Sequence, residues 1–477
     1  MSDFDASARL ILASPMKSLE LSVVDSEFRE VGHGVGALDV NVVPGIYELR
    51  FQAGPQYDKR LVSVAPGQVY EDTHIEVAFP SPAPIEGTST SHEYQQVAAS
   101  EASQKQTATG AGDAGLVLMV RNVREWERLT FDQSTVAALE LFDSDLRPVP
   151  DFESGWQLES EKGCATWSAN LAPGGYALRV RRAPAREEGK PVVLDQAILL
   201  TSGWQTLVFI PNSAQGPVPE WASIHMAELA LEWSPSERDV STALELALWG
   251  LREGRGVVPS DLRLLLAGKF QNPMLGIIGA HSLLLNPKPD FELLDTVIAN
   301  LTGLIPNHPD LAALLWLTAE ARSETRFPDA AHSPPSTLVG WPPFLLASYK
   351  ALVRRDAHDS STIEDGSVAE RAAAQLISGG VWTAWEPLQE QATAGMAARG
   401  LGDEQRLPAT PDEVRQAPIA DPATKRVAQY LADVAAVNES NVPDVLGNVD
   451  ADQVGVAAGL PSAMVQRALS DLRERFS

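Results

Sequence analysis

Few residues in this chain are of a type and spacing that could do chemistry. Cys164 stands in GCATWSANLAPG and is the only cysteine. A nucleophilic thiol needs a histidine and an activating setting, and no histidine adjoins it. Asp143 and Asp145, like Asp25 and Glu27 earlier in the chain, could form a carboxylate pair or open a calcium loop. EF-hand spacing is missing, however, and carboxylates at turns ordinarily bond the turn's own amides. Gly32-His33-Gly34-Val35-Gly36 has the glycines of a phosphate loop but leads into the strand LDVNVV, so the helix start that would cradle an anion is missing. His92-Glu93 begins HEYQQ without the second histidine of a zincin, and neither G-x-S-x-G nor G-x-x-x-x-G-K-[ST] occurs. His281, on an apolar stretch, reads as a core residue, and His308 as part of a helix start. These residues predict no catalytic group, no metal ligand and no cofactor, and an enzyme assembled from scattered residues is the poorest of the functional readings.

The large apolar groups beside proline loops are the better candidates. Trp341, in Trp341-Pro342-Pro343-Phe344, together with Phe344, Trp382 and Trp385, is a candidate protein-docking residue, because tryptophan is enriched at interface hot spots. Filling a helical core is the other use of the same side chains. Docking requires at least one of the two clusters to be exposed.

The elements that would carry these residues divide the chain. LELSVVDSEFREV, followed by DVNVVPGIYELRF, returns as LELFDSDLRPV, followed by SANLAPGGYALRV. In each copy a period-2 strand runs into an Asp-Ser turn, and a later strand reaches a Pro-Gly turn, where Pro presets φ and Gly supplies the positive φ of a type II turn. Tyr47, Leu49 and Phe51 then alternate, as do Tyr176, Leu178 and Val180, which puts each trio on one buried strand face. The offset between copies grows from 118 at Asp25/Asp143 to 129 at Pro44/Pro173 and 136 at Gly67/Gly203. Insertions at loops, with strands retained, are what a duplication produces. The PG-x-Y-x-L pattern over residues 8–80 and 115–211 resembles the small β-sandwich modules called PEGA or carboxypeptidase-regulatory-like (transthyretin-like) domains. That resemblance implies a binding or spacer role rather than catalysis.

Between the copies, residues 81–114 are rich in Ser, Thr, Ala, Gly and Gln and read as a flexible linker. After residue 219 the apolar period becomes helical, with helices predicted near 240–251, 259–268, 272–285, 289–304, 309–322, 341–355, 366–379 and 381–396. Starts about 20 residues apart describe an α-helical bundle or solenoid-like domain over 220–400. Within it, QNPMLGIIGAHSLLLN and IPNHPDLAALLWL resemble helical regions that accompany caspase-like peptidases in bacterial conflict operons. A linker at 401–422 precedes a small three-helix unit, 423–477, whose VGVAAGLPSAMVQRALSDL resembles a helix-turn-helix. The whole is a multidomain chain: two antiparallel β-sandwich modules (1–80 and 115–213), a helical domain, and a C-terminal helical unit.

Composition sets the partners. Sixty-three acidic residues against 37 basic give −26 over 477 residues, a charge that repels nucleic acid and anionic membrane surfaces. Residues 408–477 carry ten acidic and six basic side chains, which argues against Arg467, Arg473 and Arg475 taking the last helix into a major groove. The longest apolar stretch, Met274 to Leu285, is too short for a membrane span. The acidic start of the sequence lacks a signal peptide's features, and a lone cysteine implies no oxidising compartment, so a cytoplasmic location is predicted. An excess of Arg over Lys and abundant Ala fit a GC-rich bacterial source. The functional expectation is a scaffold or adaptor with protein partners. A transcriptional regulator using the C-terminal unit is the alternative.

Overall fold

The computed structural model describes residues 7–105, 113–123, 129–184, 191–229, 231, 233–234, 238–254, 259–325, 338–358, 362–387 and 407–476. β-Sheets dominate the N-terminal half and helices the C-terminal half. The chain forms two compact units. The first comprises Met1–Ala138, Asp151–Pro173 and Leu200–Pro306, and the second Leu139–Pro150, Gly174–Leu199 and Asn307–Ser477.

The first repeat supplies β1 (Ala8–Ala13), β2 (Glu20–Val24), β3 (Glu30–Val35), β4 (Ala37–Val42), β5 (Gly45–Ala53), β6 (Gln56–Val64) and β7 (Val69–Asp72), in one sheet of order β6-β5-β2-β3-β4-β1-β7. Leu10, Leu21, Leu49, Phe51 and Tyr47 from its separate parts share a single core. The glycine run 32–36 thus lies in and just after β3. The second repeat supplies β8 (Ala114–Asn122), β9 (Leu139–Phe142), β10 (Gln157–Glu159), β11 (Cys164–Leu171), β12 (Gly174–Arg182), β13 (Val192–Leu200) and β14 (Trp204–Ser213).

The two repeats agree at the level of hydrogen-bond register. Leu21 faces Phe51 and Val23 faces Leu49, as Leu139 faces Val180 and Leu141 faces Leu178. Leu10 faces Val40 as Leu116 faces Ala169, both antiparallel, and Arg9 pairs with Val69 as Gly115 pairs with Gln205, both parallel. The Asp-Ser turns match as well. Oδ1 of Asp25 accepts from the amides of Glu27 and Arg29 at 2.8 and 2.9 Å, and Oδ1 of Asp143 from those of Asp145 and Arg147 at 2.9 Å each. Phe28 and Leu146 hold the same left-handed backbone, φ 63° and 60°. Tyr47 and Tyr176 are both buried.

The repeats part where the second is longer. β3 bridges β2 to β4, whereas β10, among the described residues, pairs with β11 alone. The second repeat therefore makes two sheets. One, in the first unit, is β10-β11-β8-β14 extended by β15 (Gly216–Pro217) and β16 (Ser223–Glu228). The other, in the second unit, is β9-β12-β13 extended by β17 (Ala384–Trp385).

Residues 81–105 are ordered rather than linker-like. Helix α1 (Glu93–Gln104) buries Ala98, Ala99 and Ala102 with Ala83 and Ile85 in a core shared with Val117, Met119 and Phe209. Arg121 of β8, fully buried, ties the segment down: its guanidinium donates to the carbonyls of Ser81 (2.7 Å), Pro82 (2.7 Å) and Thr90 (2.8 Å) and to Gln95. Small alanines pack closely beside the large aliphatic Ile85, and a remote arginine satisfies the loop's carbonyls, so the segment is ordered with little apolar bulk of its own. The rest of the expected linker, 106–112, lies outside the described residues.

After α2 (Gln133–Ala137), the first unit adds α3 (Arg238–Arg252), α4 (Pro259–Gly268), α5 (Pro273–Leu284) and α6 (Phe291–Leu304). Asn272 and Asp290 cap α5 and α6 through the amides of Met274 and Leu293. The second unit holds α7 (Pro309–Thr325), α8 (Leu346–His358), α9 (Val368–Ala373), α10 (Pro411–Gln416), α11 (Pro422–Val437), α12 (Val442–Asn448), α13 (Ala451–Ala458) and α14 (Ser462–Phe476). Two expectations change here. Residues 381–387 are extended, not helical, because 384–385 add to the edge of β13, while 388–396 of that expected helix lie outside the described residues. The stretch 407–419, expected as linker, packs Leu407, Val414 and Ile419 into the C-terminal helical core, which has α10 and α12 in addition to the three helices predicted.

Candidate binding cleft

The second unit's sheet shows how the local sequence prepares a site. Outward positions of the first repeat, Ile46, Glu48, Lys59 and Leu61, correspond by the sequence offsets of 129 and 136 to Gly175, Ala177, Asp195 and Ala197. Ile46 and Leu61 are 59 % and 75 % exposed, whereas Ala177, Asp195 and Ala197 are buried. The alanines pack with Ala313 of α7 and with Tyr349 and Leu352 of α8. Large side chains at these positions would hold the helices off. Asp195 is matched by Arg179, two bonds of 2.7 and 2.9 Å, whose guanidinium also lies 4.3 Å from the Phe142 ring centre. A paired, bidentate charge is what a covered polar position requires.

At the edge of this face the indole of Trp341 lies against Gly175. A Cβ on Gly175 would be 2.1 Å from Cδ2 of Trp341, so only glycine admits the ring. The segment leading into the tryptophan is held by backbone bonds: Val339 donates to the Thr362 carbonyl (2.9 Å), Glu364 to that of Val339 (3.2 Å) and Ala369 to that of Gly340 (3.1 Å). Asp356 fixes the same turn by accepting from the amides of Thr362 (3.1 Å) and Ile363 (2.8 Å), and its burial raises its pKa. Gly366, at φ 74°, lets the chain turn into α9, and Ser367 caps that helix through the Glu370 amide.

Between this turn and the Asp143 turn lies a cleft of about 560 Å³, lined among others by Asp145, Gly175, Trp341, Glu364, Asp365 and Arg371. That volume lies in the usual range of ligand pockets. Half-buried Trp341 offers an aromatic face, and exposed Asp145, Glu364 and Asp365 supply carboxylates around it. Chemically, this arrangement can hold a cation: a guanidinium or ammonium stacks on an aromatic face and pairs with carboxylates.

The four candidate docking residues are not brought together at a surface. Trp341 lines the cleft. Phe344, Trp382 and Trp385 are 0 %, 1 % and 0 % exposed and are core residues, contrary to the expectation of an exposed cluster. Each has a structural reason. The amides of Phe344 and Leu345 donate to Asp310 at 2.7 and 3.1 Å. Phe344 meets Trp382 edge-on at 6.3 Å. Trp385 lies on β17 under the helical cover. The sequence reading missed Glu364, Asp365 and Gly175 and set Asp145 aside as a turn residue. The available signal was the loss of bulk on this strand face, above all Gly175 standing where the first repeat has Ile46.

Other residues weighed for chemistry take structural places. Cys164 is buried on β11, and burial pushes its thiol up to about 11, far from a thiolate at neutral pH. His308 is buried beside Asp310; desolvation lowers the imidazole to about 3 and raises the carboxyl to about 6. Arg467 pairs with buried Glu370 at 2.5 Å, and Arg475 with Asp471 at 2.9 Å, so both are engaged within the unit. Among the described residues no group of three or more His, Cys, Asp or Glu is placed to hold a metal ion, and no helix is long and apolar enough to cross a membrane.

No protein-family model and no curated protein sequence matches the chain. Among solved structures, it has a similarity to a leucine-rich repeat protein from Bacteroides thetaiotaomicron VPI-5482 at TM-score 0.11 and 10 % identity, over 41 % of this chain and 25 % of that one. The chain thus spans a quarter of that protein's length, and a likeness of this size supports no inference about fold or function.

Proposed function

We propose that this chain is a non-enzymatic adaptor that holds a protein partner, and that the Trp341 cleft receives a basic segment of it. The observation that carries this reading is a half-buried tryptophan seated on Gly175 with Asp145, Glu364 and Asp365 around it. Aromatic and arginine groups dominate binding at protein interfaces, and a carboxylate-rimmed indole complements arginine or lysine. The duplicated β modules, read as PEGA-like or transthyretin-like sandwiches, serve in this view as spacers and as supports for the helical regions. As part of the same proposal, the adaptor belongs to a cytoplasmic bacterial conflict system or protease-associated operon, a reading supported by the resemblance of residues 271–286 and 305–317 to helices found with caspase-like peptidases.

The test is capture of partners from the native host with wild-type protein, Trp341→Ala and Asp365→Asn, followed by titration of the recovered partner. Wild type should enrich a specific partner, and each variant should weaken it about tenfold, the worth of one charge-assisted contact. A Trp341→Ala protein that melts like wild type and keeps every partner would refute the cleft assignment.

A further inference from the structure

The first unit contains a second cleft, of about 490 Å³. One wall is the face of α3 that carries Glu245, Trp249 and Arg252, residues spaced at about one and two helical turns, with Glu253 just past the helix end. Phe79 and Trp221 stand among the residues around it. Most of the lining is aromatic, proline or aliphatic, yet Glu245 is only 7 % exposed.

A buried carboxylate in apolar surroundings is costly unless it is paired. Oε1 of Glu245 accepts from the hydroxyl of Ser223, and Nε2 of His225 lies 3.3 Å from the same oxygen and 3.0 Å from Ser223 Oγ. Both neighbours approach one oxygen. Oε2 makes no hydrogen bond among the described residues and is the oxygen left to the cleft. The three side chains do not form a catalytic relay, because serine and carboxylate meet the same imidazole nitrogen, whereas a relay uses both nitrogens. The cluster instead fixes a carboxylate at a cavity wall. The cleft already holds a cation on one aromatic face: the Arg252 guanidinium lies 5.1 Å from the Trp221 ring centre.

We infer that this cleft binds a small organic cation, an ammonium or guanidinium on an apolar body, with the charged group at Glu245 Oε2 and the body against Trp249 and Phe79. Charge complementarity selects the cation, since Glu245 and Glu253 outnumber Arg252 in the lining, and aromatic walls stabilise cations more than neutral molecules of the same shape. The inference is independent of the Trp341 cleft.

Calorimetric titration of the full chain with benzylammonium, and with benzyl alcohol as its neutral counterpart, decides the matter. Benzylammonium should bind saturably and benzyl alcohol at least about tenfold more weakly, with Glu245→Gln reducing the ammonium's affinity by a similar factor. Glutamine can keep the contacts to Ser223 and His225. Should that variant nonetheless melt well below wild type, Trp249→Ala takes its place, with the same loss expected. Arg252→Ala should tighten binding by removing the internal competitor. Equal affinity for the two probes, unchanged binding in Glu245→Gln or Trp249→Ala, or binding that appears only after Arg252→Ala would overturn the inference, the last because the cleft would then be filled by the protein's own arginine.

Discussion

Replacing Arg121 with leucine should unfasten residues 80–105 from the first unit. The guanidinium donates to three main-chain carbonyls at 2.7–2.8 Å and to the Gln95 side chain, all in or near a segment whose Ser81, Thr90 and Gln95 are 1–2 % exposed. Leucine supplies none of these donors. Each buried acceptor left unpaired costs about 1–3 kcal/mol, and local opening that admits water recovers part of it. The net loss should be about 3–5 kcal/mol, a large part of a domain's total stability. At that scale the melting of the first unit falls by about 10 °C. Calorimetry would show the shift, and limited proteolysis would show new early cuts between residues 84 and 105. Arg121→Lys, with fewer donors and a different reach, should fall between. If Arg121→Leu melts within a degree or two of wild type and its first cuts are unchanged, the segment is held by its alanine packing and not by the arginine.

Three further outcomes follow from named contacts. His281, buried in α5, has its pKa pushed down to about 4 by desolvation. Unfolding returns it toward 6.5, so its stabilisation is complete above pH 6.5 and is lost as pH falls toward 4. His281→Gln should accordingly reduce the slope of unfolding free energy against pH by about one proton across that window, about 1.4 kcal/mol per pH unit. Gly175→Ala should cost about 1–3 kcal/mol by driving a methyl into the Trp341 indole, whereas Ile46→Gly at the corresponding exposed position of the first repeat should cost only about 0.5–1 kcal/mol in denaturant titration. Fluorescence polarisation with random duplex DNA should show no salt-sensitive binding, since Arg467 is committed to Glu370. Arg467→Ala should instead lower stability by about 2 kcal/mol, discounted for the exposure of the arginine.

The matching Asp-Ser turns and alternating strands were legible in the sequence because turn chemistry is local. Asp25 and Asp143 bond the amides that immediately follow them, and a period-2 strand announces its buried face through Tyr47, Leu49 and Phe51 or their counterparts. Helices α5 and α6 were legible for the same reason, being capped by Asn272 and Asp290 directly before them in the chain. What could not be read were interactions whose partners lie far apart. The order of residues 81–105 depends on Arg121, about 30 to 40 positions from most of its acceptors. A flexible-linker composition and a segment pinned by one remote side chain look alike in one dimension. The burial of Phe344 and Trp382 likewise depends on Asp310 and on an extended segment that composition presents as a helix.

The divergence between the repeats shows where more could have been read. Two segments of matching pattern carry their own control: positions that correspond but differ in size report a difference in surroundings. Ile46, Glu48 and Leu61 became Gly175, Ala177 and Ala197, three losses of side-chain volume on one outward strand face. An outward face has no use for small residues in water, where larger or charged groups cost nothing. The substitutions make sense only if something lies on the second face, and the helices packed on Ala177 and Ala197 supply it. The replacement of Lys59 by Asp195, paired with Arg179, points the same way, because a covered charge must have a partner within the same layer. Gly175 then differs from the alanines in kind. It sits at the margin of the cover, where the added contact is one indole and the space beside it stays open, and that combination of a closed face and an open margin is what makes the Trp341 cleft a site rather than a seam.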